Sequence, residues 1–111
     1  EKVPENLFDL DAAVPGLLSV TSGNLNPSGS NMTSDWIAVE PNTAYSFTYG
    51  VRICFYDAEQ HFLSAIDDLG SSKNFPHTYI TPPDCEFVRF SKSNTYIDNV
   101  KMYEGYEIPE V

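Results

Sequence analysis

The apolar residues of this chain recur at every second position in short runs that turn formers cut off. In Val51-Arg-Ile-Cys-Phe-Tyr56, Val51, Ile53 and Phe55 alternate with Arg52, Cys54 and Tyr56. A period of two puts the two sets on opposite faces of an extended chain. The same alternation runs through Tyr45-Ser-Phe-Thr-Tyr49 and Glu86-Phe-Val-Arg-Phe-Ser91, and His61-Phe-Leu-Ser-Ala-Ile66 and Tyr96-Ile-Asp-Asn-Val-Lys-Met102 are read as strands as well. Trp36-Ile-Ala-Val39 carries Ile37 and Val39 inward, and Tyr79-Ile-Thr81 adds a further short strand. The window with enough apolar residues for a helix, Asp9 to Val20, is broken by Pro15-Gly16, because proline lacks the amide proton a helix interior needs.

Short strands with turn signals every eight to twelve residues or so belong to a sandwich or a barrel. The expectation is an all-β, antiparallel β-sandwich, and a jelly roll suits the 111 residues. That length supports one core and leaves no room for a separate catalytic lobe, so residues 1–111 are read as a single module. The acidic, proline-containing ends at 1–5 and 106–111 read as linkers of a module excised from a larger protein. The Ser/Asn-rich segment from Thr21 to Ser34 reads as a long loop.

The stretch FYDAEQHF, Phe55 to Phe62, sets two carboxylates and a histidine between aromatic ends. It reads as a hairpin rather than an active site: Phe55 and Phe62 anchor the strands in the core and Asp57 caps the turn. An enzyme would need a nucleophile with its base or a paired acid. His61 and His77 stand in no such arrangement, and G-x-S-x-G and H-E-x-x-H are absent. Catalysis is not expected.

Sixteen acids against six bases give a net charge of −10. A phosphate backbone would be repelled, and the bases are scattered, so nucleic acid is excluded as a partner. Membrane insertion is excluded too, since no apolar run approaches the roughly 20 residues that span a bilayer. Cys54 and Cys85 are the only cysteines, too few for a disulfide-dense scaffold and wrongly spaced for a zinc site. They are either one disulfide between strands or two partly buried thiols.

The order of phrases carries a resemblance. Asn6-Leu-Phe-Asp9 comes first, then the segment from Ser34 to Tyr45 (SDWIAVEPNTAY), FYDAEQHFLS, TPPDCEFVRFS and finally YIDNVKMYEG. This succession resembles the galactose-binding-like jelly-roll modules of bacteriophage tail and baseplate proteins and of bacterial secreted glycan-active enzymes. The resemblance implies noncatalytic binding of a cell-surface or cell-wall glycan, an extracellular or virion setting, and contacts with other chains or domains of a parent assembly. A structural or protein-interaction spacer in such an assembly is the alternative.

Site residues follow from sugar chemistry, which pairs an aromatic face with a few planar hydrogen-bonding groups. Trp36, the only tryptophan, ends the polar loop out of phase with Ile37 and Val39; otherwise it closes the sandwich end with its indole N–H on a loop carbonyl. Arg52 and Arg89 sit outward in Val-Arg-Ile and Val-Arg-Phe. On adjacent strands they would line one exposed face with Tyr56, offering forked donors to vicinal hydroxyls or a sugar carboxylate. Salt bridges to surplus carboxylates are their other use. Tyr79 and Tyr96, each beside a loop, are further aromatic platforms. No cofactor is expected. A structural calcium would draw on Asp67-Asp68, or on Asp9 and Asp11 with Asp98, but the D-x-D-x-D-G loop of a dedicated site is missing.

Overall fold

The structure, a computed structural model, describes residues 5–70 and 77–108. The chain is all-β and antiparallel in a sandwich-like arrangement of sheets. The larger sheet contains β1 (Val14–Pro15), β4 (Asn31–Thr33), β5 (Ile37–Ala38), β7 (Arg52–Tyr56), β8 (Phe62–Asp67) and β10 (Phe87–Ser93). It runs in the order β1-β4-β10-β7-β8, with β5 also paired to β10. The smaller sheet, β11-β6-β9, is built from β6 (Ala44–Phe47), β9 (His77–Ile80) and β11 (Met102–Glu104). A separate pair joins β2 (Leu17–Leu18) to β3 (Leu25–Asn26).

The alternation read from the sequence builds the main core. Ile53 and Phe55 of β7 and Val88 and Phe90 of β10 face Tyr45 and Phe47 of β6, Tyr79 of β9 and Met102 of β11, all buried. Phe47 packs edge-to-face on Phe90 with ring centroids 5.1 Å apart, and Phe8 closes on Phe90 at 4.8 Å. Each such side chain contributes about 1.5–3 kcal/mol by leaving water.

The FYDAEQHF stretch is a hairpin, as expected. Asp57 Oδ1 accepts from the backbone N–H groups of Glu59 and His61, at 3.0 and 2.8 Å. Gln60 takes the left-handed conformation that closes the turn, with φ 66°. One detail differs. The register shifts between Phe55 and Tyr56, so Phe62 pairs with Tyr56 and packs on the far side of the sheet, while Phe55 alone of the two aromatic ends enters the main core.

Two further readings are corrected. The segment Thr21 to Ser34 is not simply a loop, because β3 and β4 lie within it. Tyr96 to Met102 is not one strand: a 3-10 turn forms at Ile97–Asn99, burying Ile97 and Val100, and pairing begins only at Met102. The window Asp9 to Val20 forms no α-helix, as expected; a three-residue 3-10 turn, Leu10–Ala12, precedes β1 and β2. Cys54 and Cys85 are both buried and free, Cys54 belonging to a cluster beyond the larger sheet and Cys85 to the main core. That is the thiol alternative, not the disulfide. The linker readings at the ends fall largely outside the described residues.

Candidate functional site: a cleft beside Trp36

The second face of the larger sheet is where expectation and structure diverge most. Register pairs Arg89 with Cys54 and Ser91 with Arg52, so Arg52, Cys54, Tyr56, Phe87, Arg89 and Ser91 do share one face. That face is not open. The β2–β3 hairpin folds across it and forms a second cluster in which Leu18, Cys54 and Tyr56 are buried against Trp36, Phe62, Ala65 and Phe87.

Polar contacts pin this strap to the sheet. The Leu18 amide donates to Ser91 Oγ at 3.0 Å, Thr33 Oγ1 donates to the Gly16 carbonyl at 2.9 Å, and Tyr56 Oη donates to the Gly23 carbonyl at 2.6 Å. Gly23, at φ +70°, lies so close that an added Cβ would stand 2.5 Å from the Phe62 ring. Burial pushes the Cys54 thiol up to about 11 and raises the Tyr56 phenol above its ordinary range. Both are neutral packing groups at neutral pH.

The strap covers only part of the face. Between its loop, the β7–β8 turn and the end of β10 remains a cleft of about 360 Å³, at the small end of the ~300–1,000 Å³ range of small-ligand sites. Trp36, Tyr56 and Phe62 supply aromatic surface there. Ser22, Asn24, Gln60, His61 and Arg89 supply polar groups.

Trp36 reaches the cleft because β5 pairs Ile37 with Val88; one step further along this register, Trp36 stands across from Arg89. Its ring is half-buried, packed edge-to-face on Tyr56 at 4.5 Å and on Phe87 at 6.2 Å. The indole N–H has no acceptor among the described residues, so the loop carbonyl envisaged for it is not its partner. The Arg89 guanidinium lies over the ring, 5.0 Å from its centroid, and Nε donates to the Ser34 carbonyl at 3.1 Å.

The cleft thus gathers Trp36, Tyr56 and Arg89 of the six residues singled out from the sequence. Arg52 lies elsewhere under the strap. Its Nη2 pairs with Asp67 at 3.0 Å and its Nη1 donates to the Leu18 carbonyl at 3.0 Å, which corrects the picture of two outward arginines lining one open face. Tyr79 is also corrected: it is 5% exposed inside the main core, where its hydroxyl accepts from Val51 N–H and donates to Asp68. Tyr96 sits past the far end of β10, tilted against Tyr49 at 5.3 Å with the Lys92 ammonium 5.5 Å from its ring. Tyr56 is floor rather than platform, since it is 3% exposed.

Asp9, Asp11 and Asp98 form no group of three ligating side chains among the described residues. Asp9 caps the first 3-10 turn through the Asp11 amide, and Asp67 is held by Arg52 and the Leu69 amide. Among the described residues, the group of three or more ligating side chains whose atoms lie within 4.8 Å of one another is Asp57, Glu59 and His61 at the β7–β8 turn. Sequence reading missed the walls of the cleft, Ser22, Asn24, Gln60 and His61. Only the turn residues Gln60 and His61 carried a signal, through their hairpin.

Compared with protein-family models, characterised proteins and solved structures, the chain matches none.

Proposed function

We propose that this chain is a noncatalytic carbohydrate-binding module, a β-sandwich of the galactose-binding-like jelly-roll kind. It would hold a larger extracellular or virion protein to a cell-surface glycan. One observation carries the reading: half-buried Trp36 meets four neutral or weakly basic polar side chains and the Arg89 fork in one cleft of saccharide size. Aromatic surface beside planar donors and hydroxyls is the chemistry of sugar recognition. A single shallow cleft binds weakly, and many copies in an assembly would raise avidity by about 10²–10⁴.

The test is a glycan and cell-wall panel probed with the module displayed multivalently. Trp36→Ala is expected to reduce binding at least tenfold while the fold persists, because its ring lies in the second cluster and not in the main core. Unchanged binding by that variant would remove the cleft from consideration.

A spacer or protein-interaction role in the same kind of assembly is the second reading. It is favoured by apolar side chains on the outer strands: Leu63 and Ile66 on β8, an edge of the larger sheet among the described residues, and Ile80, 55% exposed, on β9, an edge of the smaller one. Exposed apolar groups on strand edges invite pairing with another chain. A blank panel together with self-association abolished by Ile80→Glu would favour this role.

A further inference from the structure

Charge is distributed unevenly among the hollows of this molecule. The chain carries 16 acids against 6 bases, and acids border two of the other hollows on its surface, while the one beside Pro15 and Leu25 has no ionisable side chain in its lining. Asp9 and Asp35 line a neighbouring hollow that also borders Trp36, and Glu40 and Glu104 line the one beside Tyr45. The cleft over Tyr56 is the reverse. Among the described residues no carboxylate lines it, and its lining side chains able to carry positive charge are Arg89 and His61.

Arg89 is also held ready for a ligand. Nε is tied to the Ser34 carbonyl and Trp36 supports the guanidinium plane, which leaves the two Nη groups as an oriented fork. Arg52, on the same sheet face, pairs with Asp67. Arg89 has no carboxylate within ion-pair distance among the described residues, although the chain has acids in excess. A planar fork of this kind matches a carboxylate in a bidentate manner. Carboxylates stand close by in the chain: Asp35 accepts from the Trp36 amide and belongs to the neighbouring hollow, and Asp57 and Glu59 belong to the β7–β8 turn. Asp57 Oδ2 is 3.5 Å from His61 Nδ1, and Asp35, Asp57 and Glu59 are all outside the lining of the cleft.

We infer that the cleft selects a saccharide carrying a carboxylate, such as a uronic or sialic acid, with the carboxylate on the Nη edge of Arg89 and the ring hydroxyls toward Asn24, Gln60 and Ser22. The inference rests on the carbohydrate-binding reading and narrows it to one substrate class. Trp36 becomes chiefly a positioning residue, holding the guanidinium that meets the acid.

The experiment compares glucuronic acid and N-acetylneuraminic acid with their methyl esters and with glucose and galactose, each displayed on streptavidin and titrated against the protein. The esters keep the shape and remove the charge. The acids are expected to bind on the order of tenfold or more tighter than their esters. Arg89→Gln should erase that difference, and Lys101→Gln, an exposed cation outside the cleft, should preserve it. Arg89→Lys, which keeps the charge but not the fork, should retain only part of the preference. Near-ultraviolet circular dichroism checks each variant's fold, and the acid-to-ester ratio of the unmodified protein needs no variant. If esters or neutral sugars bind as well as the acids, the acidic-sugar inference is wrong and the carbohydrate reading stands. If no saccharide binds, both fail.

Discussion

Arg52 and Arg89 occupy the same local phrase, a cation between two inward-facing apolar residues, yet their neighbours give them opposite roles. Across β7–β8, Arg52 stands opposite Asp67, and its guanidinium holds that carboxyl below the usual carboxylate range. A carboxylate whose folded pKa is depressed stabilises the fold above its unfolded value, near 3.9, and loses that contribution as pH falls through the folded pKa. Asp67 is about half exposed, so solvent screening limits the contribution to roughly 1 kcal/mol or less. Asp67→Asn is therefore expected to lower stability by up to about that amount at pH 7 and to match the unmodified protein near pH 2. Urea unfolding at the two values checks this; an equal deficit at both would mean that lost packing, not the ion pair, explains it. The phrase itself was legible in the sequence. Pairing was not, because it depends on which residue register sets opposite each arginine, and a single strand does not encode its partner.

At the scale of elements, the strap matters most. Leu18 is fully buried, and with Cys54 and Tyr56 it makes a small core outside the main one. Leu18→Ala is expected to cost about 2–5 kcal/mol, the usual range for a large aliphatic cut back in a packed site. It should also weaken saccharide binding, since the loop that β2 and β3 carry forms one wall of the cleft. Thermal unfolding and the sugar titration read the two effects. Loss of stability with binding intact at low temperature would show that the wall does not depend on the Leu18 anchor. The β7–β8 hairpin was readable because strong alternation flanks an Asp-led turn. The strap was not: its strands are two residues long, lie in or beside a Ser/Asn-rich run, and are stabilised by contacts with residues distant in sequence, such as Ser91 and Arg52. Tyr79 eluded sequence reading for a related reason. Its neighbours on β9 are exposed or half-buried, so the short strand has too little alternation to reveal its inner face. In β7 the difficulty is reversed, because a main core on one side and the strap on the other bury both alternating sets.

For the whole molecule, a net charge of −10 and a cleft that favours a negative sugar oppose each other over different distances. An approaching acidic saccharide meets the summed repulsion of the protein first and the Arg89 fork only on contact. Salt separates these effects, because the Debye length is about 30 Å at 0.01 M and about 8 Å at 0.15 M. Screening removes long-range repulsion almost entirely and weakens a close, partly desolvated pair much less. The association rate of a glucuronic acid conjugate is thus expected to rise between 10 and 150 mM sodium chloride, the reverse of ordinary electrostatic steering. Its dissociation rate should rise more modestly, and a galactose conjugate, if it binds, should show little change in either. Surface plasmon resonance on immobilised module at the two salt concentrations measures both rates. An association rate that falls with salt would mean that the field around the cleft, and not only its floor, is positive. Charges outside the cleft would then have to supply that field, in a chain whose acids outnumber its bases by ten.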